Sequence, residues 1–143
     1  HQPIVRQNKT LLEFQPEPSN SWWNNPYTYI LFLVLIVGLN KKSMDKIYLT
    51  IMAVLGVAFV LLGIYSTHLE LANNYNILLF NPTLLVLLYF AKANNTKWIK
   101  YTLVFNLIAL GSYTLLLLNK AHLWIVAPLI ITSGILLVRR FWK

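Results

Sequence analysis

The stretch His68–Pro82, HLELANNYNILLFNP, decides the architecture of this chain. It places four asparagines and a proline inside a run that is otherwise apolar enough to enter a lipid bilayer. An amide group without a hydrogen-bond partner in hydrocarbon costs about 2–7 kcal/mol. We therefore expect these asparagines to have partners within the protein or to line a polar cavity.

The dipeptide Asn81-Pro82 predicts a break in a membrane helix. Proline disfavours the α conformation in the residue before it, and asparagine followed by proline is a favourable helix start, with Asn81 as the N-cap. The pattern predicts one half-membrane segment over 71–80 and a short helix over 82–91. That helix would rise only about 15 Å in a hydrocarbon core about 30 Å thick. Its free N–H groups would then face the contents of the break.

The composition is that of a membrane protein. The 143 residues are 57% hydrophobic and 11% charged, whereas soluble domains carry about 25% charged residues. The net charge of +8 comes from basic clusters at the ends of apolar runs, where such clusters orient membrane helices, so we discount nucleic-acid binding. The absence of cysteine excludes disulfides, thiolate metal sites and cysteine nucleophiles within this chain.

The apolar runs predict an all-α, polytopic membrane protein with five transmembrane helices. We expect residues 1–21 to form an extracytoplasmic linker and 22–143 to form the transmembrane domain. The spans are predicted at about 26–40, 47–66, 71–91, 98–118 and 122–139, with the third broken near Asn81-Pro82. All five tryptophans fall near predicted span ends, as expected of an aromatic belt. The chain begins at His1 without an initiator methionine, so we expect a piece of a longer or processed protein.

The basic residues predict that the N-terminus is outside and the C-terminus inside the cell. In this orientation nine of the twelve lysines and arginines lie on the inner side and three on the outer side. The opposite orientation inverts that ratio. The outer surface then carries His68, Glu70, His122 and the N-terminal segment.

Three asparagines form the main candidate site. Asn74, Asn76 and Asn81 could line a polar pocket for an amide, an ester or a lipid headgroup. Alternatively, they bond neighbouring helices and fix the packing, each such pair contributing about 0.6–2 kcal/mol. Both interpretations remain open for these three, whereas the single Asn106 of the fourth span is interpreted as a packing contact.

The remaining polar residues suggest no complete catalytic set. His68 and Glu70 could form an acid–base pair, or they could lie in a solvated loop, because residues two apart do not share a helix face. With His122 they lack the spacing of metal ligands. We therefore predict no metal site and no cofactor, and we interpret the five glycines as close helix contacts.

The segment Asn74–Pro82, NYNILLFNP, preceded by His68, resembles the signature of the C-terminal five-helix membrane domain of Lnb-type proteins from Bacteroidota. The likeness extends to the five-span plan and to the linker segment Leu11–Phe14, LLEF. Proteins of this family carry an N-terminal periplasmic domain with a papain-like or NlpC-like hydrolase fold. They are linked to lipoprotein N-acylation, the transfer of an acyl chain to the amino group of a lipidated N-terminal cysteine.

The resemblance implies the membrane half of an acyltransferase in the bacterial inner (cytoplasmic) membrane, with its N-terminus in the periplasm. It would anchor a periplasmic catalytic domain and present acyl lipid at the outer leaflet. Its partners would be membrane lipids, lipoproteins and other membrane subunits. The lipid or substrate pocket would comprise His68, Glu70, Asn74, Asn76, Asn81 and Pro82.

Two features depart from the family pattern. In the family pattern we expect an acidic residue directly beside the histidine, whereas here the acid is Glu70, two residues after His68. The domain that would bear the nucleophile is not in this chain. The alternative is a non-enzymatic membrane subunit, an anchor or assembly factor of a larger complex. A transporter is less favoured, because the chain has no internal repeat and no charged residue in a predicted span away from its ends.

Overall fold

The computed structural model describes residues 25–65 and 74–142. Within these residues the chain forms five α-helices and one short 3-10 helix, and it contains no strand. The elements are α1 (Pro26–Leu39), α2 (Lys42–Tyr65), the 3-10 helix (Tyr75–Leu78), α3 (Thr83–Lys92), α4 (Thr96–Leu117) and α5 (Leu123–Phe141). The predicted linker over 1–21 lies outside the described residues, as do His68 and Glu70.

Local sequence explains where the helices begin. Asn25 caps α1 by accepting a hydrogen bond from the backbone N–H of Tyr27, and Pro26 occupies the first helical position. Asn95 caps α4 in the same way through the N–H of Trp98. Helix α2 begins at Lys42, before the apolar run over 47–66, so its first turn is polar and includes Asp45.

Four helical segments are long and apolar enough to cross a membrane: α2, the broken segment Tyr75–Lys92, α4 and α5. Helix α1 is also apolar but has only 14 residues, a rise of about 21 Å. Large apolar side chains cover the outside of the bundle, such as Ile64, Leu115 and Ile125, which are 70–76% exposed. A surface of this kind suits hydrocarbon, so the predicted all-α, multi-pass membrane fold is confirmed.

Helix α4 lies against most of the other elements. It packs against α3, against α5 and against the 3-10 helix, while α2 packs against α3 and α1 packs mainly against α5. The core is built from large apolar side chains with almost no exposed area, among them Leu49, Leu87, Leu103, Tyr113 and Leu136. This arrangement places the broken third segment between α2 and α4.

The third segment is interrupted as predicted. The 3-10 helix ends at Leu78, and α3 starts only at Thr83, so the residues between them are not helical. Pro82 already has helical dihedrals, with φ −61° and ψ −21°. The regular helix thus begins one residue later than the predicted start at Pro82.

Candidate functional site

The break is held against α2 by a very close backbone approach at Gly56. A Cβ atom at this glycine would overlap the carbonyl group of Phe80 and would lie 2.9 Å from the nitrogen of Pro82. Next to it, the rings of Phe59 and Phe80 pack with their centroids 5.3 Å apart. The absence of a side chain at Gly56 is therefore what allows the non-helical backbone to sit on α2.

Asn81 organises the end of the break that adjoins α3. Its side-chain oxygen accepts hydrogen bonds from the backbone N–H of Thr83 at 3.0 Å and from the Thr83 hydroxyl at 2.8 Å. The same hydroxyl lies 3.2 Å from the side-chain oxygen of Asn106, so its single proton has two acceptors. Asn106 in turn donates to the carbonyl of Thr102 at 2.7 Å. This network joins the break to the middle of α4.

Asn76 and Asn74 organise the other end of the break, at the 3-10 helix. The hydroxyl of Tyr113 donates to the side-chain oxygen of Asn76 at 2.6 Å. The side-chain oxygen of Asn74 accepts from the backbone N–H of Asn76 at 3.0 Å, which caps the 3-10 helix. Tyr113 is only four residues from the end of α4 at Leu117, about 6 Å along the helix axis.

The first N–H groups of α3 already have acceptors. That of Thr83 bonds to the side chain of Asn81, that of Leu84 to the Asn81 carbonyl, and that of Leu85 to the Pro82 carbonyl. The structure therefore differs from the expectation that these groups face the contents of the break. Pro82 is placed by packing and contributes no donor, since proline has no N–H.

The interior of the break leaves little free space. A cavity of about 10 Å³ lies between Asn81, Asn106 and Ser133, room for about one water molecule. Ser133 lines this cavity, and its hydroxyl group lies 2.9 Å from that of Tyr48. A ligand of lipid size does not fit inside the bundle here, so such a ligand would bind only at the surface of the bundle.

The three asparagines share one further property. Each uses its side-chain oxygen as an acceptor, as described above. Within the part of the chain that the structure describes, their side-chain N–H₂ groups donate no hydrogen bond. Among the described residues these three amide donors have no acceptor, and amide donors bind ester carbonyl and phosphate oxygens.

The histidines give no metal site within residues 25–65 and 74–142. Those residues contain no group of three or more His, Cys, Asp or Glu side chains that could hold a metal ion. His122 lies exposed in the turn before α5. Whether His68 and Glu70 approach it falls outside the described residues.

Sequence reasoning missed an ion-pair cluster at the opposite end of the bundle. The carboxylate of Asp45 is fully buried, receives a hydrogen bond from Arg139 at 2.7 Å and pairs also with Arg140. Arg139 donates in addition to the carbonyl of Val37, and Arg140 donates to the carbonyl of Asn40. The two arginines thus join α5 to α2 and bond carbonyls at the C-terminal end of α1.

A comparison with known protein families identifies the family of this chain. The family model of the Lnb transmembrane domain matches residues 18–143, which is most of the chain. The chain belongs to the Lnb transmembrane domain family. No curated protein and no solved structure matches it. The resemblance noted at Asn74–Pro82 is confirmed, and in this Lnb domain that segment is the interrupted third span between α2 and α4.

Membership of the Lnb family gives the asparagines a structural context. In this Lnb domain the oxygen of Asn76 bonds Tyr113 of a neighbouring helix, as the packing interpretation expects, whereas the oxygen of Asn81 bonds Thr83 in its own segment. Their nitrogens keep the binding interpretation open. The two interpretations therefore concern different atoms of the same side chains.

Proposed function

We propose that this domain is the membrane half of a lipoprotein N-acylating protein. It anchors a periplasmic catalytic domain and presents acyl lipid to it at the outer leaflet of a bacterial inner membrane. The proposal rests on one observation: a chain of the Lnb family carries, along the interrupted span, three asparagine amide groups that donate no hydrogen bond within residues 25–65 and 74–142.

The position of these donors supports a role at one leaflet. The bond between Asn76 and Tyr113 lies about one turn from the C-terminal end of α4 at Leu117, the end opposite to the ion-pair cluster of Asp45, Arg139 and Arg140. With the basic end inside the cell, this end faces the periplasm. Asn74 and Asn76 then lie at the depth where the ester groups of an outer-leaflet phospholipid meet the hydrocarbon.

The chemistry assigned to this domain is positioning. Side-chain N–H₂ groups from Asn74 and Asn76 donate to an ester carbonyl or a phosphate oxygen and hold the acyl ester in one orientation. The close packing of the break on Gly56 keeps these donors on a rigid backbone. The nucleophile and the proton transfers belong to the periplasmic domain.

The first test compares cells with and without the gene for the full-length protein. Mass spectrometry of lipoprotein N-termini measures the fraction of α-amino groups that carry an acyl chain. Loss of the gene is expected to leave these amines free, and the wild-type gene is expected to restore the acyl chain. Unchanged acylation in the deleted cells would overturn the proposal.

The second test separates the donors from the packing. Asn74→Ser keeps an oxygen that can accept from the N–H of Asn76 but removes the N–H₂ group, and Asn76→Asp likewise keeps the acceptor for Tyr113. At equal amounts in the membrane, both variants are expected to restore acylation several-fold less well than wild type. Asn119→Ser, in the exposed outer turn, is the matched control.

The rival function is a non-enzymatic membrane subunit, an anchor or assembly factor. The observation that favours it is that the oxygens of Asn76 and Asn81 bond groups within the bundle. In that case the donor-deficient variants retain full acylation, while variants that remove the oxygens lower the amount of folded protein.

A further inference from the structure

A cavity of about 670 Å³ opens at the basic end of the bundle, between α2, α4 and the end of α5. Five basic side chains line it, together with one carboxylate: Lys42, Lys46, Lys97, Lys100, Arg140 and Asp45. This cavity lies at the opposite end of α4 from the Asn76–Tyr113 bond. We infer that it binds the headgroup of an anionic phospholipid.

The charge in this cavity is not neutralised by the protein residues that the structure describes. Asp45 is the one acidic side chain in residues 25–65 and 74–142, and its oxygens are taken by Arg139 and Arg140. The lysines that line the cavity therefore have no acidic partner in this part of the chain. An anion in the cavity would supply the missing negative charge.

The spacing of the lysines concentrates this charge. Lys42 and Lys46 are four residues apart on α2, and Lys97 and Lys100 are three residues apart on α4, so each pair lies on one helix face. Both pairs line the same cavity. Like charges at such spacing destabilise a helix, and a bound anion removes that repulsion.

The walls of the cavity favour a lipid over a free anion. Its inner wall includes Leu49 and Leu103, which are 1% and 2% exposed. Val104, another lining residue, continues along α4 to Ile108 on the lipid-facing surface, where Ile108 is 63% exposed. A phosphate at the lysines can thus keep its acyl chains on apolar surface. Basic pockets between membrane helices bind anionic headgroups in this manner.

The test is native mass spectrometry of the full-length protein with added phosphatidylglycerol or phosphatidylcholine. Wild type is expected to retain phosphatidylglycerol as a discrete adduct and to retain phosphatidylcholine much less. Lys97→Gln/Lys100→Gln is expected to bind phosphatidylglycerol about 30-fold more weakly, because each lysine contributes about 1 kcal/mol and 1.4 kcal/mol is tenfold. Lys42→Gln/Lys46→Gln, on the other wall, is expected to behave alike.

The matched control is Lys41→Gln/Lys92→Gln. It removes the same charge from the same end of the bundle at exposed positions that do not line the cavity, and binding is expected to stay near the wild-type level. Equal weakening in the control and the cavity variants, or equal retention of the two lipids, would overturn the inference. Displacement of the lipid by millimolar inorganic phosphate would assign the cavity to a free anion instead. None of these results depends on lipoprotein acylation.

Discussion

Gly56 of α2 lies against the carbonyl group of Phe80, with no space between them for even one methyl group. Because Phe80 and Pro82 flank Asn81, this contact fixes the position of the whole interruption relative to α2. The other anchors of the break are hydrogen bonds to α4 from Asn76 and Thr83. The interrupted span is therefore held from two sides, by close packing on α2 and by polar bonds on α4.

Gly56→Ala is expected to destabilise the domain. The added Cβ would meet backbone atoms, which cannot move as a flexible side chain does, and overpacking of this kind costs about 1–3 kcal/mol or more. Gly111→Ala is the matched control, because no atom lies within 4 Å of its added Cβ and alanine favours a helix by up to about 1 kcal/mol. Thermal unfolding of the purified proteins in detergent measures both effects. Equal midpoints for the two variants would contradict the close contact.

The sequence predicts those features that depend on local chemistry. The Asn-Pro break and the start of α1 at Pro26 follow from proline geometry and capping, which act within a few residues. The interpretation of the glycines as close helix contacts is wrong at Gly38 and Gly111, where an added Cβ would have no atom within 4 Å, whereas Gly56 makes such a contact. Which glycine does so depends on the helix that faces it, and the periodicity of the sequence does not contain that information.

The binding partners of the polar residues were also beyond sequence reasoning. Tyr113 is 37 residues from Asn76 in the chain, and Asp45 is 94 residues from Arg139. The signal that could have indicated the second pair is topological. The start of the second span and the end of the fifth lie on the same side of the membrane, and the sole acidic residue near that side needs a basic partner.

A double-mutant cycle between Asn76 and Tyr113 is expected to give a coupling free energy of about 0.6–1.7 kcal/mol, the range for hydrogen bonds between membrane helices. The variants are Asn76→Ala, Tyr113→Phe and both together, and the measurement is the free energy of unfolding in detergent. Tyr89→Phe is the control for loss of a hydroxyl group, since Tyr89 is 67% exposed. Additive effects of the two substitutions would show that the 2.6 Å bond contributes no stability.

Asp45→Asn is expected to destabilise the bundle by about 3 kcal/mol. Removing one partner of a buried ion pair costs roughly 3–5 kcal/mol, and the arginine side chains remain 20% and 22% exposed, so the lower end applies. The measurement is the unfolding midpoint, with Lys41→Gln as a control for an exposed charge. A double variant, Asp45→Asn/Arg140→Gln, should lose less than the sum of its parts, because the unpaired cation has been removed. A midpoint of Asp45→Asn equal to wild type would contradict the cluster's role.

The orientation of the domain can be tested directly, because this chain contains no cysteine. Ala121 and Ala93 are exposed alanines in turns at opposite ends of α4. With the N-terminus outside, Ala121→Cys is expected to react with a membrane-impermeant maleimide in intact cells, once the outer membrane is made permeable to the reagent. Ala93→Cys should react only after the inner membrane is opened, since it lies at the end that carries the lysine pairs. Reaction of Ala93→Cys alone in intact cells would reverse the orientation, and it would move the amide donors of the break to the cytoplasmic leaflet.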